Sequence, residues 1–512
     1  MSVQETADHA KFSRREITSI MSGLMLAMSL ASLDQTIVAT SLSTMARDLN
    51  GWEQMAWVVS AYLVASTITT PIYGRLSDLY GRRPLLLISI GLFVGSSVLC
   101  ALSQTMVQLI AARFIQGVGG GGLRSISQAT VADIVPPRER GKYQGYFSSV
   151  FAISNTVGPV LGGFFADYLS WHWIFWINLP LGLAAFLLSN SQLKRLRKPP
   201  KNPIIDWLGA ILILASISPI LIGVGRVEGE GGWGTVGVLG PIALGALFIV
   251  ALIFRELVAP EPMLPLRLFR NAIFSVASAI SFFNSMVMIA LIVLVPINYQ
   301  LVAGVSANEA GFRLIPMTAG TVFGSFCAGQ MVSRLGRYRM FPIIGSSTTF
   351  LACLAIAYVG LGPSPVLSAA LTLILGMSFG FQLSPMTVTV QNALDWRDTG
   401  IGMSCMMFFR LMGGAFGVAF LSAVLISQLD AGALSVPGHE VLGPRPGVAL
   451  FHLHEHGEAL SPLLLQALSA SIRRAFSHLF LVTAALASFT VIGALALKEV
   501  PLRGGEEPKP AR

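Results

Sequence analysis

The sequence predicts an all-α protein that crosses a membrane many times, and three observations support this. Only 12% of its 512 residues are charged, against about 25% in soluble proteins. Hydrophobic residues make up 54%, and the mean hydropathy is +0.70. The apolar residues form long continuous runs, which predict helices that satisfy their own backbone in lipid. Soluble, disordered and collagen-like proteins are excluded, as is a nucleic-acid-binding basic domain.

Fourteen apolar runs are long enough to span a bilayer, which takes about 20 residues. They divide the chain into a polar N-terminus at 1–16, a six-helix half at 17–190, linkers with two inserted helices at 191–270, a second six-helix half at 271–497 and a tail at 498–512. The second half includes an outer loop at 428–475. The predicted spans are 17–44, 54–75, 84–102, 106–134, 142–167, 171–190, 205–225, 235–256, 271–298, 309–332, 340–360, 365–391, 400–427 and 476–497.

Lysine and arginine are distributed unevenly between the two sets of connections. With the N-terminus in the cytoplasm, 25 of them lie on the cytoplasmic side and five on the opposite side. Because positive loops stay inside, this bias predicts that both termini are cytoplasmic. The net charge of +9 therefore reflects topology and does not indicate a nucleic-acid partner.

A short pattern occurs twice in the chain. Gly74 and Gly81 stand seven residues apart ahead of a basic cluster after the second span, and Gly329 and Gly336 do so after the tenth. The tenth span corresponds to the second if each half has six helices and the seventh and eighth are an insert. Duplicated helical halves are typical of secondary transporters.

Two charged residues lie deep in the predicted spans of the first half. Asp34 is about 17 residues into the first span, and Arg113 enters the fourth from the opposite side by about 7 residues, so both lie at similar depth. They pair if the two helices face one cavity. Ionisable groups in a membrane are costly and usually functional, so we expect Asp34 to take up and release a proton. The alternative is a static buried ion pair.

Other polar residues in the spans carry weaker signals. Arg410 lies near mid-span, where a functional role and a structural pair are equally compatible with the sequence. Arg124 is also near mid-depth, and the sequence indicates no partner for it. Possible substrate or coupling positions, besides Arg410, are Gln116, Asn155, Tyr299, Gln300 and Gln391.

The fifth span contains Gly158, Pro159, Gly162 and Gly163, which predict a kink with close helix packing. It is either a hinge or seal or a purely structural kink. No metal site is predicted, since His452–His456 alternate in a loop without a tetrahedral set. No Walker-type loop and no nucleophile–base pair occur, so an enzyme is not expected.

These motifs resemble the major facilitator superfamily, specifically its fourteen-helix drug:proton antiporter group. Gly74–Leu86 is similar to the superfamily's loop signature, and Leu109–Gly121 to its helix-four motif. Gly158–Gly163 resembles the antiporter signature of helix five, and Leu33–Leu42 the first-helix motif of the fourteen-helix group. The resemblance covers nearly the whole chain.

The resemblance implies a function and roles for residues. Asp34 and Arg113 would couple protons, and a conformational latch would comprise Gly74, Asp78, Gly81, Arg82, Arg83 and Asp133. The expected protein exports lipophilic, often cationic, drugs or toxic small molecules across the inner membrane, driven by the proton gradient without a cofactor. Its partners are the small-molecule substrate, protons and the lipid bilayer. The alternatives are a proton symporter or uniporter for a metabolite, and a transporter-like receptor or scaffold.

Overall fold

The computed structural model describes residues 13–51, 54–135, 137–195, 206–226, 234–259, 262, 264–305, 307–362, 364–395, 398–433 and 462–501. Within these ranges the chain forms α-helices, two short 3₁₀ segments and no β-strand, which confirms the predicted all-α class. The α-helices are α1 (Arg14–Thr40), α2 (Leu42–Asp48), α3 (Met55–Tyr80), α4 (Arg82–Ala101), α5 (Met106–Ile134), α6 (Pro137–Tyr168), α7 (Trp173–Trp176), α8 (Asn178–Gln192), α9 (Trp207–Gly225), α10 (Val236–Val258), α11 (Ala272–Ala303), α12 (Ala307–Phe312), α13 (Ile315–Leu335), α14 (Met340–Val359), α15 (Pro365–Ala393), α16 (Thr399–Ala433) and α17 (Pro462–Ala496).

Nine helical segments among the described residues are long and apolar enough to cross a membrane. The other five predicted spans fall on α3, α5, α6, α9 and α13. Helices α3, α5, α6 and α13 are less apolar on average than the most apolar spans. These four helices pack inside the bundle. The molecule is a multi-pass membrane protein.

Several helix boundaries differ from the predicted ones. The first predicted span, 17–44, ends at Thr40, and the short helix α2 follows Ser41. The sixth is interrupted between α7 and α8 at Ile177. The first break lies in the mostly polar stretch 40–44, which the predicted span included, whereas the second follows the apolar run 173–177. Hydropathy alone does not reveal the second break.

The outer loop is shorter than predicted. α16 continues to Ala433, and α17 begins at Pro462, well before the predicted start of the last span at 476. Both helices therefore extend beyond the length that a bilayer requires. The three histidines at 452, 454 and 456 lie outside the described residues.

The two repeats place their glycines in equivalent positions. Gly81 and Gly336 end α3 and α13 with φ of 97° and 69°, values that disfavour residues with a Cβ. Gly74 lies against Ser404 of α16, and Gly329 lies against the backbone of Gly141 in α6. In each repeat the first glycine permits a close helix crossing, and the second ends the helix.

Helix packing positions the two halves. Within the first half α3 packs on α5, and α1 packs on α6 and α8. The pairs α3–α16 and α6–α13 join the first half to the second. The inserted pair α9–α10 lies outside the bundle, with α9 against both α3 and α16. We call the end where α3 meets α4, α5 meets α6 and α15 meets α16 the Arg-rich end.

Candidate functional site

Asp34 lies at the centre of a buried polar cluster in the first half. Its Oδ2 accepts a hydrogen bond from Arg113 Nη1 at 2.5 Å. Its Oδ1 accepts from Gln116 Nε2 at 3.0 Å and from Asn178 Nδ2 at 2.9 Å. The Asp34 and Arg113 side chains are both 0% exposed. The structure thus brings together three residues that the sequence indicated, Asp34, Arg113 and Gln116, on α1 and α5.

Further groups hold these donors in place. Ser97 Oγ on α4 accepts from Gln116 Nε2 at 2.7 Å and from Asn178 Nδ2 at 3.2 Å. The guanidinium of Arg113 lies 4.4 Å from the ring centroid of Tyr62, within range of a cation–π interaction. In the described part of the chain, Arg113 Nη2 has no acceptor. Because the cluster has no exposed surface, water reaches Asp34 only after helices move.

Arg124 lies three turns from Arg113 along α5. Its Nη2 donates to Ala31 O at 3.1 Å and to Gln35 Oε1 at 2.6 Å. The residue is 3% exposed. Among the described residues no carboxylate lies within salt-bridge distance of it. The sequence indicated no partner for Arg124, and the structure shows that its partners are neutral acceptors.

A second charged cluster lies at the Arg-rich end. Arg82 Nη1 pairs with Asp78 Oδ1 at 2.6 Å, and Arg82 Nε pairs with Asp133 Oδ2 at 2.8 Å. Asp78 Oδ2 accepts from the backbone N–H of Ile401 at 2.9 Å, so it caps the start of α16 in the other half. Asp78 lies past the predicted span 54–75, and burial raises its pKa to about 6 against the opposing effect of Arg82.

Glycines allow this cluster to close. A Cβ on Gly74 would overlap the Ser404 side chain, and a Cβ on Gly400 would overlap Asp78 and Arg82. Arg83 is not part of this cluster, although the family resemblance placed it in the latch. Its Nη2 donates to Asn190 Oδ1 at 2.5 Å, because the next residue along a helix points in a different direction, here toward α8.

The second crossing between the halves also closes at the Arg-rich end. Arg140 Nη1 donates to Gln391 O at 3.1 Å, and Nη2 donates to Ala132 O at 2.7 Å. Gln391 Nε2 donates to Gln128 O at 3.2 Å. A Cβ on either Gly141 or Gly329 would overlap the other's carbonyl. Gln391 therefore lies at the contact between the halves, at the end where the bundle is closed.

The glycine motif of α6 packs against α1. A Cβ on Gly158 would overlap the side chain of Thr36. Thr36 Oγ1 donates to Ser154 O at 3.1 Å, and Ser41 Oγ donates to Gly162 O at 2.9 Å. At this contact the Thr36 and Ser41 side chains of α1 therefore lie directly against the backbone of α6. The side chains of Asn155 and Pro159, and position Gly163, lie outside the described residues.

The remaining candidates lie in the second half. Tyr299 lies 5.5 Å from the guanidinium of Arg313 and lines a cavity of about 280 Å³ at the end opposite the Arg-rich end. Gln300 Oε1 is buried and accepts no hydrogen bond from the described residues. Arg410 is half-buried in α16, and within the described ranges it has neither an ion pair nor a hydrogen bond. Among the described residues no group of three metal-ligating side chains occurs.

Four residues of the two clusters were not predicted from the sequence: Asn178, Ser97, Tyr62 and Ile401. Asn178 starts α8 directly after the aromatic stretch 171–176. A polar side chain at a break in an apolar run was the available signal. The contributions of Ile401 and of Ala31, whose carbonyl accepts from Arg124, come from the backbone, which has no sequence signature.

The family model described as Major Facilitator Superfamily matches residues 24–418. An uncharacterized MFS-type transporter, Rv1877 of Mycobacterium tuberculosis, is 34% identical over 96% of this chain and 70% of its own. Multidrug resistance protein 3 of Bacillus subtilis is 34% identical over 79% of each chain. Multidrug transporter protein MdtP of the same organism is 32% identical over 80% of this chain and 75% of its own.

Two solved structures share the fold. The human organic anion transporter MFSD10 superposes with a TM-score of 0.62 at 15% identity, covering 93% of this chain and 100% of that chain. The proton:xylose symporter XylE superposes with a TM-score of 0.60 at 14% identity, covering 95% and 97%. At this identity the likeness shows the fold alone. The family match and the relatives together show that this chain belongs to the Major Facilitator Superfamily and is a membrane transporter of small molecules, not an enzyme.

Proposed function

We propose that the protein exports lipophilic small molecules in exchange for protons, by alternating access, across the cytoplasmic membrane. The proton gradient supplies the energy, and no cofactor takes part. The observation that carries this proposal is the Asp34 cluster. Asp34 is the carboxylate that lies deepest in the described spans, and it is fully buried against Arg113. Acids within membrane spans commonly belong to ion pathways or proton relays, which supports Asp34 as the proton carrier.

Proton binding would change the forces inside the first half. Protonation of Asp34 removes the counter-charge of Arg113, whose Nη2 already lacks an acceptor among the described residues. The uncompensated arginine then favours a state in which water or another acceptor reaches it. Because Asp34 lies on α1 and α1 packs tightly on α6 at Gly158, a shift of α1 is transmitted to α6. Proton binding and substrate binding then bias the same two-state equilibrium.

The closed Arg-rich end supports alternating access. Asp78 binds Ile401, and Arg140 binds Gln391, so both crossings between the halves are held at one end. The distribution of lysine and arginine supports a cytoplasmic location for this end, with both termini on the same side. With that topology, the protein in this conformation is closed toward the cytoplasm. The names of the Bacillus relatives, which refer to multidrug resistance and transport, support export as the direction.

The proposal is tested by proton release from purified protein in weakly buffered detergent solution. Addition of a lipophilic ligand releases protons from the native protein if ligand and proton compete. Asp34→Asn abolishes this release, because the group that titrates is gone. Asp48→Asn changes an exposed acid and leaves the release as in the native protein. Equal release from Asp34→Asn and the native protein places the proton site elsewhere, and no release with any ligand favours a receptor without transport.

A further inference from the structure

The charges in the middle of the described spans do not balance. Asp34 and Arg113 form a pair with both side chains fully buried. Arg124 on α5 and Arg410 on α16 have no carboxylate within salt-bridge distance in the described ranges. An arginine stays protonated in proteins. The part of the core that the structure describes therefore carries two uncompensated positive charges.

Arg124 is held but not neutralised. Its Nη2 donates to Ala31 O and to Gln35 Oε1, which are neutral acceptors. Its Nε is buried and has no acceptor among the described residues. Gln35 itself is only partly buried. The guanidinium thus has a free donor and an adjoining amide.

Arg410 is even less satisfied. It is half-buried, its Nε is buried, and none of the described residues accepts a hydrogen bond from it. The adjacent side chains in α16 are apolar, with Met407 and Phe408 buried. Charged groups at mid-membrane are costly unless a partner or a water-filled cavity compensates them. The partner for Arg410 must therefore come from outside the described residues.

The two arginines lie at the same depth on helices that touch. α5 contacts α16 across the boundary between the halves. Helix α5 ends at Ile134, after Arg124, and helix α16 begins at Thr399, before Arg410. Both of these helix ends lie at the Arg-rich end. At 1.5 Å per residue both positions are about 15–17 Å from that end. A ligand bound at this depth, near the boundary between the halves, is therefore level with both charges.

We propose that Arg124 and Arg410 bind the acidic group of a lipophilic organic anion, such as a carboxylate or sulfonate on an apolar body. Guanidinium groups recognise these acids through paired hydrogen bonds. The methionine and phenylalanine side chains of α16 beside Arg410 are apolar and would contact the apolar body once the helices move apart. This inference rests on the proposed export function and names its substrate class. It departs from the cationic substrates that the family resemblance implies, since two unpaired arginines repel a cation.

The test uses two probes of matched size, naphthalene-2-sulfonate and (2-naphthylmethyl)trimethylammonium. Their affinities for the purified full-length protein are measured by isothermal titration calorimetry. The native protein should bind the sulfonate more tightly than the ammonium. Arg410→Gln and Arg124→Gln should each weaken sulfonate binding by about tenfold or more. Neither change should weaken binding of the ammonium probe. Arg410→Lys, which keeps the charge, should restore part of the affinity.

Arg473→Gln is the matched control, because Arg473 is an exposed arginine on α17, and it should leave both affinities unchanged. Thermal unfolding without ligand provides a second readout. Loss of an unpaired charge should leave the Arg410→Gln protein at least as stable as the native one, whereas loss of a structural pair would destabilise it. Tighter binding of the ammonium by the native protein, or unchanged sulfonate affinity in both glutamine variants, overturns the proposal.

The outcome is separable from that of the proposed function, because these affinities require no proton gradient. Selective sulfonate binding that depends on the two arginines, together with proton release that persists in Asp34→Asn, upholds the substrate class and rejects the coupling site. If proton release depends on Asp34 but only the ammonium probe causes it, the substrate class is rejected and the coupling site is upheld.

Discussion

At the scale of single residues, the Asp34 cluster is defined by how many donors converge on one carboxylate. Arg113, Gln116 and Asn178 come from two helices, α5 and α8, and meet Asp34 on α1. A buried charge is tolerated only when such partners surround it. The cluster therefore links the positions of three helices to the ionisation state of one side chain.

Asn178→Ala removes one of the two donors to Asp34 Oδ1. We expect it to destabilise the protein by about 1–3 kcal/mol, because a hydrogen bond to a buried charge is lost. In the Asp34→Asn background the same change should cost less, because the charged acceptor is absent. Thermal unfolding of the four proteins in detergent measures this cycle. Equal costs in the two backgrounds would show that Asn178 and Asp34 do not interact energetically.

Asp78 predicts a pH dependence of the closed state. Burial raises its pKa from 3.8 to about 6, so the closed state binds the proton more tightly than a state with Asp78 in water. This contribution is fully present below about 3.8 and is lost as the pH rises through about 6. Acidic pH therefore favours closure, and Asp78→Asn, which cannot ionise, should remove the dependence.

Amide hydrogen exchange at Ile401, whose N–H is bound by Asp78, measures this effect after correction for the intrinsic rate. Protection at pH 5 should exceed protection at pH 8. Ile273 is the internal control, because its N–H is bound by the amide oxygen of Asn271, which does not titrate. Protection at Ile401 that falls on acidification would contradict the assigned direction.

Part of the site at this scale could be predicted from sequence. Asp34 and Arg113 are conspicuous, because charged residues in apolar runs are rare and must find partners. Asn178 was missed, because a single asparagine at a break in an apolar stretch does not indicate which carboxylate it faces. The acceptors of Arg124 are a backbone carbonyl and a glutamine. Neither type of group has a sequence signal that separates it from the rest of the chain.

At the scale of helices, the contact between α1 and α6 depends on the absence of a side chain at Gly158. Gly158→Ala should destabilise the protein by about 1–3 kcal/mol, because the added Cβ overlaps Thr36. The double variant Gly158→Ala/Thr36→Ala should recover part of this loss by making room. Thermal unfolding and transport rate measure both effects.

Gly91→Ala is the matched control, because a Cβ at Gly91 has no neighbour within 4 Å. This change should be neutral or slightly stabilising, as alanine favours the helix. If Gly158→Ala and Gly91→Ala behave alike, or if Thr36→Ala gives no recovery, the two helices do not depend on this contact.

Helix existence followed from hydropathy, but several helix ends did not. The break at Ile177 follows a continuous apolar run, whereas the break at Ser41 lies in the mostly polar stretch 40–44, which the predicted span 17–44 included. The extension of α16 to Ala433 and the early start of α17 at Pro462 concern helix outside the lipid layer. Hydropathy responds to the membrane, so it does not detect helix that continues into water.

At the scale of the whole molecule, two contacts hold the Arg-rich end closed. Arg82 supports Asp78 on one side, and Arg140 binds Gln391 on the other. Arg82→Gln should raise the amide hydrogen-exchange rate at residues 399–407 by about tenfold, because it removes charged hydrogen bonds. Arg140→Gln should have the same effect at residues 137–147, for the same reason. Arg83→Gln alters the adjacent arginine, which bonds within the first half, and should leave both segments unchanged.

The whole account depends on Asp34 as the proton carrier. The most direct test measures the flux of fluorescent lipophilic probes, one cationic and one anionic, into or out of proteoliposomes with an imposed pH gradient. The native protein is compared with Asp34→Asn. The account predicts that the gradient drives probe movement by the native protein, and that Asp34→Asn loses the gradient dependence while it stays folded. Gradient-driven movement of equal rate in both proteins would contradict it.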